Sequence, residues 1–325
     1  MKAIVCHEFG PIEALRLQDC PDPVAGEGEV LIDVHAAGVN FPDGLMVRGE
    51  YQVKPPRPFT PGSEVAGVVA AVGDGVSGLA PGQRVVAVCG IGGFAEKVVA
   101  QADRVLPLPD GMDFTTAAGF MLVYGTSLHG LADCGRLRAG ETLLVLGAAG
   151  GVGLAAVEIG HAMGARVIAA ASTDEKLALA REHGAELGIN YATADLKAEL
   201  KRLVPGGVDV VYDPVGGALT EAAVRGLAWG GRLLVVGFAA GEIPRLPLNL
   251  LLLREGEVKG VFWGTWTARE PAAHALNVSR LFGWFGAGAL RPHVGAVFSL
   301  AETRSALSFV MSRNAHGKVI VCPNK

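Results

Sequence analysis

The stretch LLVLGAAGGVG, residues 143–153, decides the fold of this chain. An apolar run of strand length breaks into small residues, and residues 151–163 that follow have the apolar spacing of a helix that ends at Gly164. A glycine-rich turn between a buried strand and a helix can hold a phosphate group, or it can be a close packing contact without a ligand. The rest of the sequence distinguishes between these two interpretations.

The residues after this turn alternate between apolar runs of strand length and amphipathic segments of helix length. The strand-like runs are ARVIAAA (165–171), ELGINY (186–191), VDVVYD (208–213), GRLLVVGF (231–238) and EVKGVFWG (257–264). The helix-like segments are TDEKLALAREHG (173–184), DLKAELKRLV (195–204) and ALTEAAVRGLA (218–228). Such alternation is typical of strand–helix–strand units around a parallel sheet buried on both faces. It predicts a doubly wound α/β domain.

The first 120 residues differ in composition and pattern. They are rich in Gly and Pro and contain short runs of β-branched residues. These runs are EVLIDVHAAGV (29–39), SEVAGVVAAVG (63–73) and QRVVAVCG (83–90). They predict a domain of short antiparallel strands. The C-terminal segment contains a short strand, a helix and the final strand KVIV (318–321), which we expect to return to this first domain. The predicted domains are therefore residues 1–121 with 266–325, and residues 122–265.

Composition excludes several classes of protein. A chain of 325 residues with 50% hydrophobic residues can fill two cores, and a net charge of −4 offers no strong field for nucleic acid or an anionic membrane. Five scattered cysteines without a C-x-x-C pair argue against a disulfide framework or a structural zinc cluster and fit a reducing compartment. No apolar stretch approaches the ~18 residues of a membrane span. We expect a cytoplasmic protein that binds neither nucleic acid nor membrane.

In this context the glycine-rich turn follows the first strand of the α/β domain and begins its first helix. Its pattern is Ala148-x-Gly150-x-x-Gly153, with alanine in place of the first glycine of the usual G-x-G-x-x-G. Gly150 would let the backbone approach a pyrophosphate at the helix N-terminus, and Gly153 would let helix and strand pack closely. The setting favours a dinucleotide site over a turn without a ligand.

Six stretches, the glycine-rich turn among them, carry a resemblance to a known family: GEVLIDVHAAGVNFPD (28–43), PGSEVAGVVAAVG (61–73), GAAGGVG (147–153), VDVVYDPVGG (208–217), GGRLLVVGF (230–238) and HGKVIV (316–321). Over essentially its full length the chain resembles the zinc-free, zeta-crystallin-like NADPH:quinone oxidoreductases of the medium-chain dehydrogenase/reductase superfamily. The resemblance implies an α/β fold with a GroES-like antiparallel β catalytic domain and a Rossmann parallel-sheet domain.

The resemblance also bears on metal binding. Zinc alcohol dehydrogenases of this superfamily have a cysteine ligand where this chain has Asn40, and a histidine ligand where it has Ser63. Asparagine and serine are poor zinc ligands. Glu64, beside Ser63, is interpreted as a local structural partner and not as a ligand. No metal site is predicted, and we expect the hydride acceptor to be a small electrophile that needs no Lewis acid, such as a quinone or an activated C=C bond.

Two residues are candidates for contact with that acceptor. Asn40 lies in the VNF motif, and Tyr51 falls where these reductases place an active-site tyrosine. The alternatives are a turn-forming residue at Asn40 and ordinary packing at Tyr51. A second tyrosine of several relatives is Leu45 here, which makes the expected cleft more apolar.

The resemblance further implies cofactor-binding residues in the glycine-rich turn and at the ends of later strands: Ala149, Gly150, Gly151, Val152, Gly153, Gly237, Phe238, Phe262 and Trp263. For Phe262 and Trp263 a role in the core or in an interface is equally open.

The choice between NADPH and NADH depends on the end of the second strand. An NAD-specific site has an acid there, whereas Ala171 and Ser172 occupy the position in this chain. Ser172, Lys176 and Tyr191 match the set that binds the 2′-phosphate in the quinone reductases, which predicts NADPH. The alternative is that Asp174 is the NAD-type acid. We attribute Asp174 instead to capping the helix that follows, a role that Thr173 could also fill.

The leading functional prediction is an NADPH-dependent quinone or activated C=C reductase. An enoyl-thioester or 2-alkenal reductase is the nearest alternative, and a crystallin-type nucleotide-binding protein with little turnover is a third. A homodimer is also predicted, because EVKGVFWG places an open strand at the edge of the parallel sheet and a twofold mate could pair with it.

Overall fold

The computed structural model describes all of residues 1–325. The chain packs as two compact units, residues 1–122 with 292–325 and residues 123–291. The first boundary lies one residue from the predicted one. The second lies at 291/292, whereas the sequence analysis placed it at 265/266. No helix is both long enough and apolar enough to cross a membrane.

Fifteen strands follow one another along the chain. They are β1 Lys2–Val5, β2 Arg16–Asp19, β3 Glu29–Val39, β4 Glu64–Val72, β5 Arg84–Ala87, β6 Lys97–Gln101, β7 Val105–Pro107, β8 Thr142–Leu146, β9 Arg166–Ala171, β10 Leu187–Asn190, β11 Val208–Asp213, β12 Leu227–Val235, β13 Glu257–Gly260, β14 Val294–Ser299 and β15 Lys318–Cys322.

Eleven α-helices connect them. They are α1 Phe41–Arg48, α2 Phe114–Ala118, α3 Met121–Leu128, α4 Gly151–Ala162, α5 Asp174–Glu182, α6 Leu196–Leu203, α7 Gly217–Arg225, α8 Asn249–Leu252, α9 Trp263–Arg269, α10 Pro271–Gly286 and α11 Thr303–Met311. Short 3₁₀ turns occur at Ile12–Ala14, Ala102–Arg104 and Leu300–Glu302, and a π-helical segment at His129–Cys134 continues α3.

The first unit is built on a seven-stranded sheet. Its order is β14-β15-β3-β4-β5-β7, and β6 also pairs with β3. All pairs are antiparallel except β14 with β15, as the β-branched runs predict. The long strand β3 is central because it pairs with β15, β4 and β6, and its residues Val30, Ile32 and Val34 face the core. The C-terminal β14, α11 and β15 lie in this unit, as expected.

The second unit is a parallel sheet in the order β10-β9-β8-β11-β12-β13. Consecutive residues of β8, from Leu143 to Leu146, are all buried, which shows that both faces of the sheet are covered. The predicted Rossmann architecture is confirmed. Helix α4 begins directly after the turn that follows β8, so the glycine-rich turn lies at the carboxyl end of the sheet.

The displaced domain boundary has a local cause. Helix α10 belongs to the second unit, where Val278 and Leu281 are buried and Asn277 Nδ2 donates to Asp133 Oδ2 at 2.9 Å. Helix α10 has an apolar stripe, but such a stripe does not by itself specify which of two cores the helix covers.

Candidate functional site

The glycine-rich turn has the geometry of an anion site. Gly147 has a φ of +59°, and Gly150 precedes α4 without any side chain that caps the helix. The first-turn N–H groups therefore lack a side-chain acceptor. A Cβ on Gly150 would lie no closer than 3.5 Å to other atoms, so internal packing does not require glycine there. A Cβ on Gly153 would clash with the Gly147 carbonyl oxygen, so glycine is needed for helix α4 to approach the turn.

The three residues predicted to hold a 2′-phosphate lie at one end of the parallel sheet. Ser172 follows β9, and Lys176 Nζ lies 3.4 Å from Ser172 Oγ. Strands β9 and β10 are paired in parallel with Asn190 opposite Ala171, and Tyr191 N donates to Ala171 O at 3.0 Å. The register of two adjacent strands thus brings Tyr191 to the same edge as Ser172 and Lys176.

Asp174 has a different role from the one we assigned to it. The cap of α5 is Thr173, whose side chain accepts a hydrogen bond from Lys176 N at 3.3 Å. Asp174 is the first residue of the helix, and its carboxylate accepts a hydrogen bond from Asn190 Nδ2 at 2.9 Å. The attribution of the cap to Asp174 was wrong, because the extended backbone that an N-cap requires is found at Thr173.

The remaining predicted cofactor residues fall into two groups. Gly237 N lies 3.3 Å from Asp213 O just beyond β12, and the neighbouring Phe238 is partly exposed. Phe262 is 55% exposed, whereas Trp263 is 6% exposed and packs against the position of Gly125. Trp263 thus has the surroundings of a core residue, while Phe262 presents its ring at the surface.

In the first unit, Asn40, Glu64 and Lys318 meet in a buried cluster. Lys318 Nζ donates to Asn40 Oδ1 at 2.7 Å and to Glu64 Oε1 at 2.8 Å, and Asn40 Nδ2 donates to the same Glu64 oxygen at 3.1 Å. The other Glu64 oxygen accepts a hydrogen bond from Leu122 N at 3.0 Å. Glu64 is thus a structural partner, as interpreted from the sequence, and both polar ends of the Asn40 side chain are occupied.

Strand register explains why these three side chains meet. Strands β3 and β15 pair with Val39 opposite Val319, so Asn40 and Lys318 are the adjoining residues. Strands β3 and β4 pair with Gly38 opposite Glu64. A Cβ on Gly38 would clash with the Glu64 side chain, so glycine makes room for the carboxylate.

A second acid, Asp43, lies next to this cluster. It is fully buried, accepts a hydrogen bond from Asn40 N at 2.8 Å and another from Ser63 Oγ. Burial raises the pKa of Asp43 to about 6, although the two hydrogen bonds and Lys318 oppose the rise. Asn40 and Ser63 occupy the two positions where the zinc alcohol dehydrogenases have metal ligands. In this protein Asn40 is hydrogen-bonded to Lys318, and Ser63 is hydrogen-bonded to Asp43.

Tyr51, the second predicted catalytic residue, differs from Asn40 because its polar group is not occupied by a contact within the protein. Its ring packs against the core of the first unit, and its hydroxyl makes no hydrogen bond within the protein. Burial, with a smaller contribution from Asp43, raises the pKa of the Tyr51 hydroxyl, so it stays protonated at neutral pH. Leu45 lies half-buried on α1.

Sequence reasoning missed Lys318 and Asp43. Both lie in stretches that carried the family resemblance, HGKVIV and VNFPD. The signal for Lys318 was a single charge at the start of an otherwise apolar strand. Across all 325 residues, no group of three or more His, Cys, Asp or Glu side chains is arranged to hold a metal ion.

Comparison with known proteins agrees with this geometry. Residues 26–110 match the alcohol dehydrogenase GroES-like domain, and residues 151–278 match the family described as zinc-binding dehydrogenase. Quinone oxidoreductase-like protein 2 of Rattus norvegicus is 39% identical over 98% of this chain and 91% of its own length. The chain belongs to the zinc-free quinone oxidoreductases of the medium-chain dehydrogenase/reductase superfamily.

Two solved quinone oxidoreductases share the whole fold. The Thermus thermophilus enzyme, solved also as a complex with NADPH, is 40% identical with a TM-score of 0.85 and covers 99% of this chain and 100% of its own. The Escherichia coli enzyme complexed with NADPH is 28% identical with a TM-score of 0.93, covering 99% and 100%. Family membership makes the protein an oxidoreductase.

Proposed function

We propose that this quinone oxidoreductase family member is an NADPH-dependent reductase that transfers a hydride to a quinone or an activated C=C bond without a metal ion. The observation that carries the proposal is the hydrogen-bonding of Asn40 to Lys318 and of Ser63 to Asp43. An amide and a hydroxyl are poor zinc ligands. The Asn40 oxygen, which is the atom that could face a cation, already accepts a hydrogen bond from the ammonium group of Lys318. Acceptors that need no Lewis acid fit this arrangement.

The cofactor part of the proposal is supported by two features of the second unit. The uncapped N-terminus of α4 fits a pyrophosphate, and Gly150 leaves room for it. Ser172, Lys176 and Tyr191 fit a 2′-phosphate, while the nearby carboxylate of Asp174 is bonded to Asn190. When bound, NADPH would supply the hydride. The quinone oxidoreductases of Thermus thermophilus and Escherichia coli have been solved with NADPH.

The structure also suggests how the roles of Asn40 and Tyr51 divide. Both amide hydrogens of Asn40 are directed inward, to Glu64 Oε1 and to Gly38 O at 3.4 Å. Asn40 would therefore hold the local structure. The Tyr51 hydroxyl, which is protonated and unused within the protein, would donate a hydrogen bond to the acceptor oxygen that gains charge.

We further propose that the protein is a homodimer formed through β13. This strand lies at the edge of the parallel sheet, all four of its residues are exposed, and Val258 is 42% exposed. Pairing β13 with its twofold mate would satisfy the open backbone groups and cover this side chain.

Oxidation of NADPH with a panel of quinones, 2-alkenals and enoyl-thioesters tests the function. Turnover with quinones supports the leading proposal, and a preference for enals or enoyl-thioesters would assign the nearest alternative. Tight NADPH binding without turnover of any acceptor would indicate a crystallin-type role. Metal analysis showing about one zinc per chain, with activity lost to a chelator, would overturn the zinc-free mechanism.

A further inference from the structure

A cavity of about 460 Å³ lies wholly within the second unit, beside the C-terminal ends of α4 and α5. The side chains that define it are Glu158, His161, Arg181, His183 and Arg291. None of them is used by the proposed hydride transfer. The glycine-rich turn is at the opposite end of α4, about 15 Å from His161 at the helical rise of 1.5 Å per residue.

The floor of the cavity is a carboxylate whose oxygens already accept several hydrogen bonds. Glu158 is 2% exposed, and its oxygens accept hydrogen bonds from Tyr124 Oη at 2.6 Å and from Arg291 N at 3.2 Å. His183 Nδ1 is also hydrogen-bonded to Glu158. Three partners share this one acid, so Glu158 has little capacity left to attract a cation from solvent.

The rim of the cavity is lined by basic side chains, and some of their N–H donors make no hydrogen bond within the protein. The Arg181 guanidinium and the His161 ring form no hydrogen bond or ion pair within the protein. Arg291 donates through Nη2 to the carbonyl oxygen of Glu182 at 2.6 Å, which leaves its other guanidinium hydrogens available. These unused donors surround one cavity.

Glycine keeps the rim open. A Cβ on Gly184, which has a φ of +109°, would lie 2.7 Å from the His161 ring, so a larger residue would displace the imidazole. Gly184 itself lines the cavity together with the small residues Ala162, Gly288 and Ala289. Small residues on the wall leave the space between His161, Arg181 and Arg291 unfilled.

We propose that this cavity is a second binding site, distinct from the dinucleotide site, for a small oxyanion of the phosphate or carboxylate class. Guanidinium groups bind both anions through paired N–H donors. The exposed carboxylate of Glu182 lies on the same rim, and because its repulsion grows with the charge of the ligand, it weakens the binding of a polyanion more than that of a small anion. Arg181 lies five residues after Lys176 on α5, about 7.5 Å further along the helix, so the two sites use different residues.

The test uses full-length protein labelled with ¹³C-histidine, and the His161 resonance is assigned with a His161→Gln variant. Inorganic phosphate and, in a separate titration, acetate are added at constant ionic strength while the imidazole Cε1–H resonances of the eight histidines are followed. We expect a saturable shift at His161 with at least one of the two anions. Arg181→Ala should weaken that binding about tenfold or more. Arg202→Ala, an exposed arginine of the same unit paired with Glu199, should leave it unchanged.

Two results would overturn the proposal. One is the absence of a saturable shift at His161 with either anion. The other is an affinity that is the same in the Arg181→Ala variant as in the wild-type protein, which would assign the shift to non-specific ion binding. Neither result depends on NADPH binding or turnover, so this site and the proposed reductase activity succeed or fail separately.

Discussion

Lys318 Nζ lies 2.8 Å from Glu64 Oε1, and the two side chains are only 6% and 0% exposed. Removing one partner of a buried pair leaves an uncompensated charge, which costs about 3 to 5 kcal/mol. The Lys318→Met variant is therefore expected to lower the free energy of unfolding by that amount, measured by urea denaturation.

Two controls accompany this prediction. The double variant Lys318→Met with Glu64→Gln should recover part of the lost stability, because neither member of the pair is then left as an unpaired charge. Lys97→Met, which removes partly exposed ion pairs with Asp33 and Asp22, should cost less than about 1 kcal/mol. If Lys97→Met were as destabilising as Lys318→Met, burial would not be the cause.

The raised pKa of Asp43 predicts that its contribution to the stability of the protein falls as the pH rises from acid to neutral. Its pKa is raised from 3.8 to about 6, so between these values the folded protein holds a proton that the unfolded chain releases. This contribution favours the folded state at low pH and is lost as the pH rises through 6, by about 3 kcal/mol in total. The free energy of unfolding of wild type relative to Asp43→Asn should therefore fall between pH 4 and pH 7. A difference between the two proteins that is constant across this range would contradict the raised pKa.

Substitution of the two glycines of the turn should have different effects, on stability at Gly153 and on cofactor affinity at Gly150. Gly153→Ala introduces a clash with the Gly147 carbonyl oxygen and should lower the melting temperature. Gly150→Ala has room for its Cβ within the protein and should melt near the wild-type temperature while losing affinity for NADPH, because the methyl group would meet the pyrophosphate. Thermal unfolding and cofactor titration of both variants check this. Unchanged NADPH affinity in Gly150→Ala would remove Gly150 from the site.

Lys176 should discriminate between the two nicotinamide cofactors. A hydrogen bond to a charged group contributes ~1.5 to 3 kcal/mol, so Lys176→Ala should weaken NADPH by roughly ten- to a hundredfold and leave NADH nearly unchanged. Measurement of kcat/KM for both cofactors decides it, with Lys201→Ala on the exposed face of α6 as the control. A wild-type preference for NADH, or equal weakening of both cofactors, would make Asp174 the residue to test.

The proposed dimer should depend on the exposed strand β13. Val258→Asp places a charge where the twofold mate would pair and should give a monomer at micromolar concentration by light scattering. Val24→Asp, at a position 85% exposed in a loop, should remain a dimer. A wild-type protein that is monomeric at the same concentration would contradict the proposed dimer.

Local patterns were sufficient for the two sheets and for the glycine-rich turn. The alternation of strand-like and helix-like segments after residue 143 predicted the parallel sheet, because apolar periodicity is a property of neighbouring residues. The β-branched runs before residue 120 predicted the antiparallel sheet in the same way. Gly150 and Gly153 were predicted from the pattern of the turn, and the structure adds that their surroundings differ, since only Gly153 lacks room for a Cβ.

What the tertiary structure decided are contacts between residues far apart in the chain. Lys318 and Glu64 are 254 positions apart and meet only because β15 and β4 both pair with β3. The apolar stripe of helix α10 does not name the core that it covers, and only tertiary packing assigns the helix to the second unit. The pKa of Asp43 likewise depends on burial among groups from several strands, which no sequence spacing expresses.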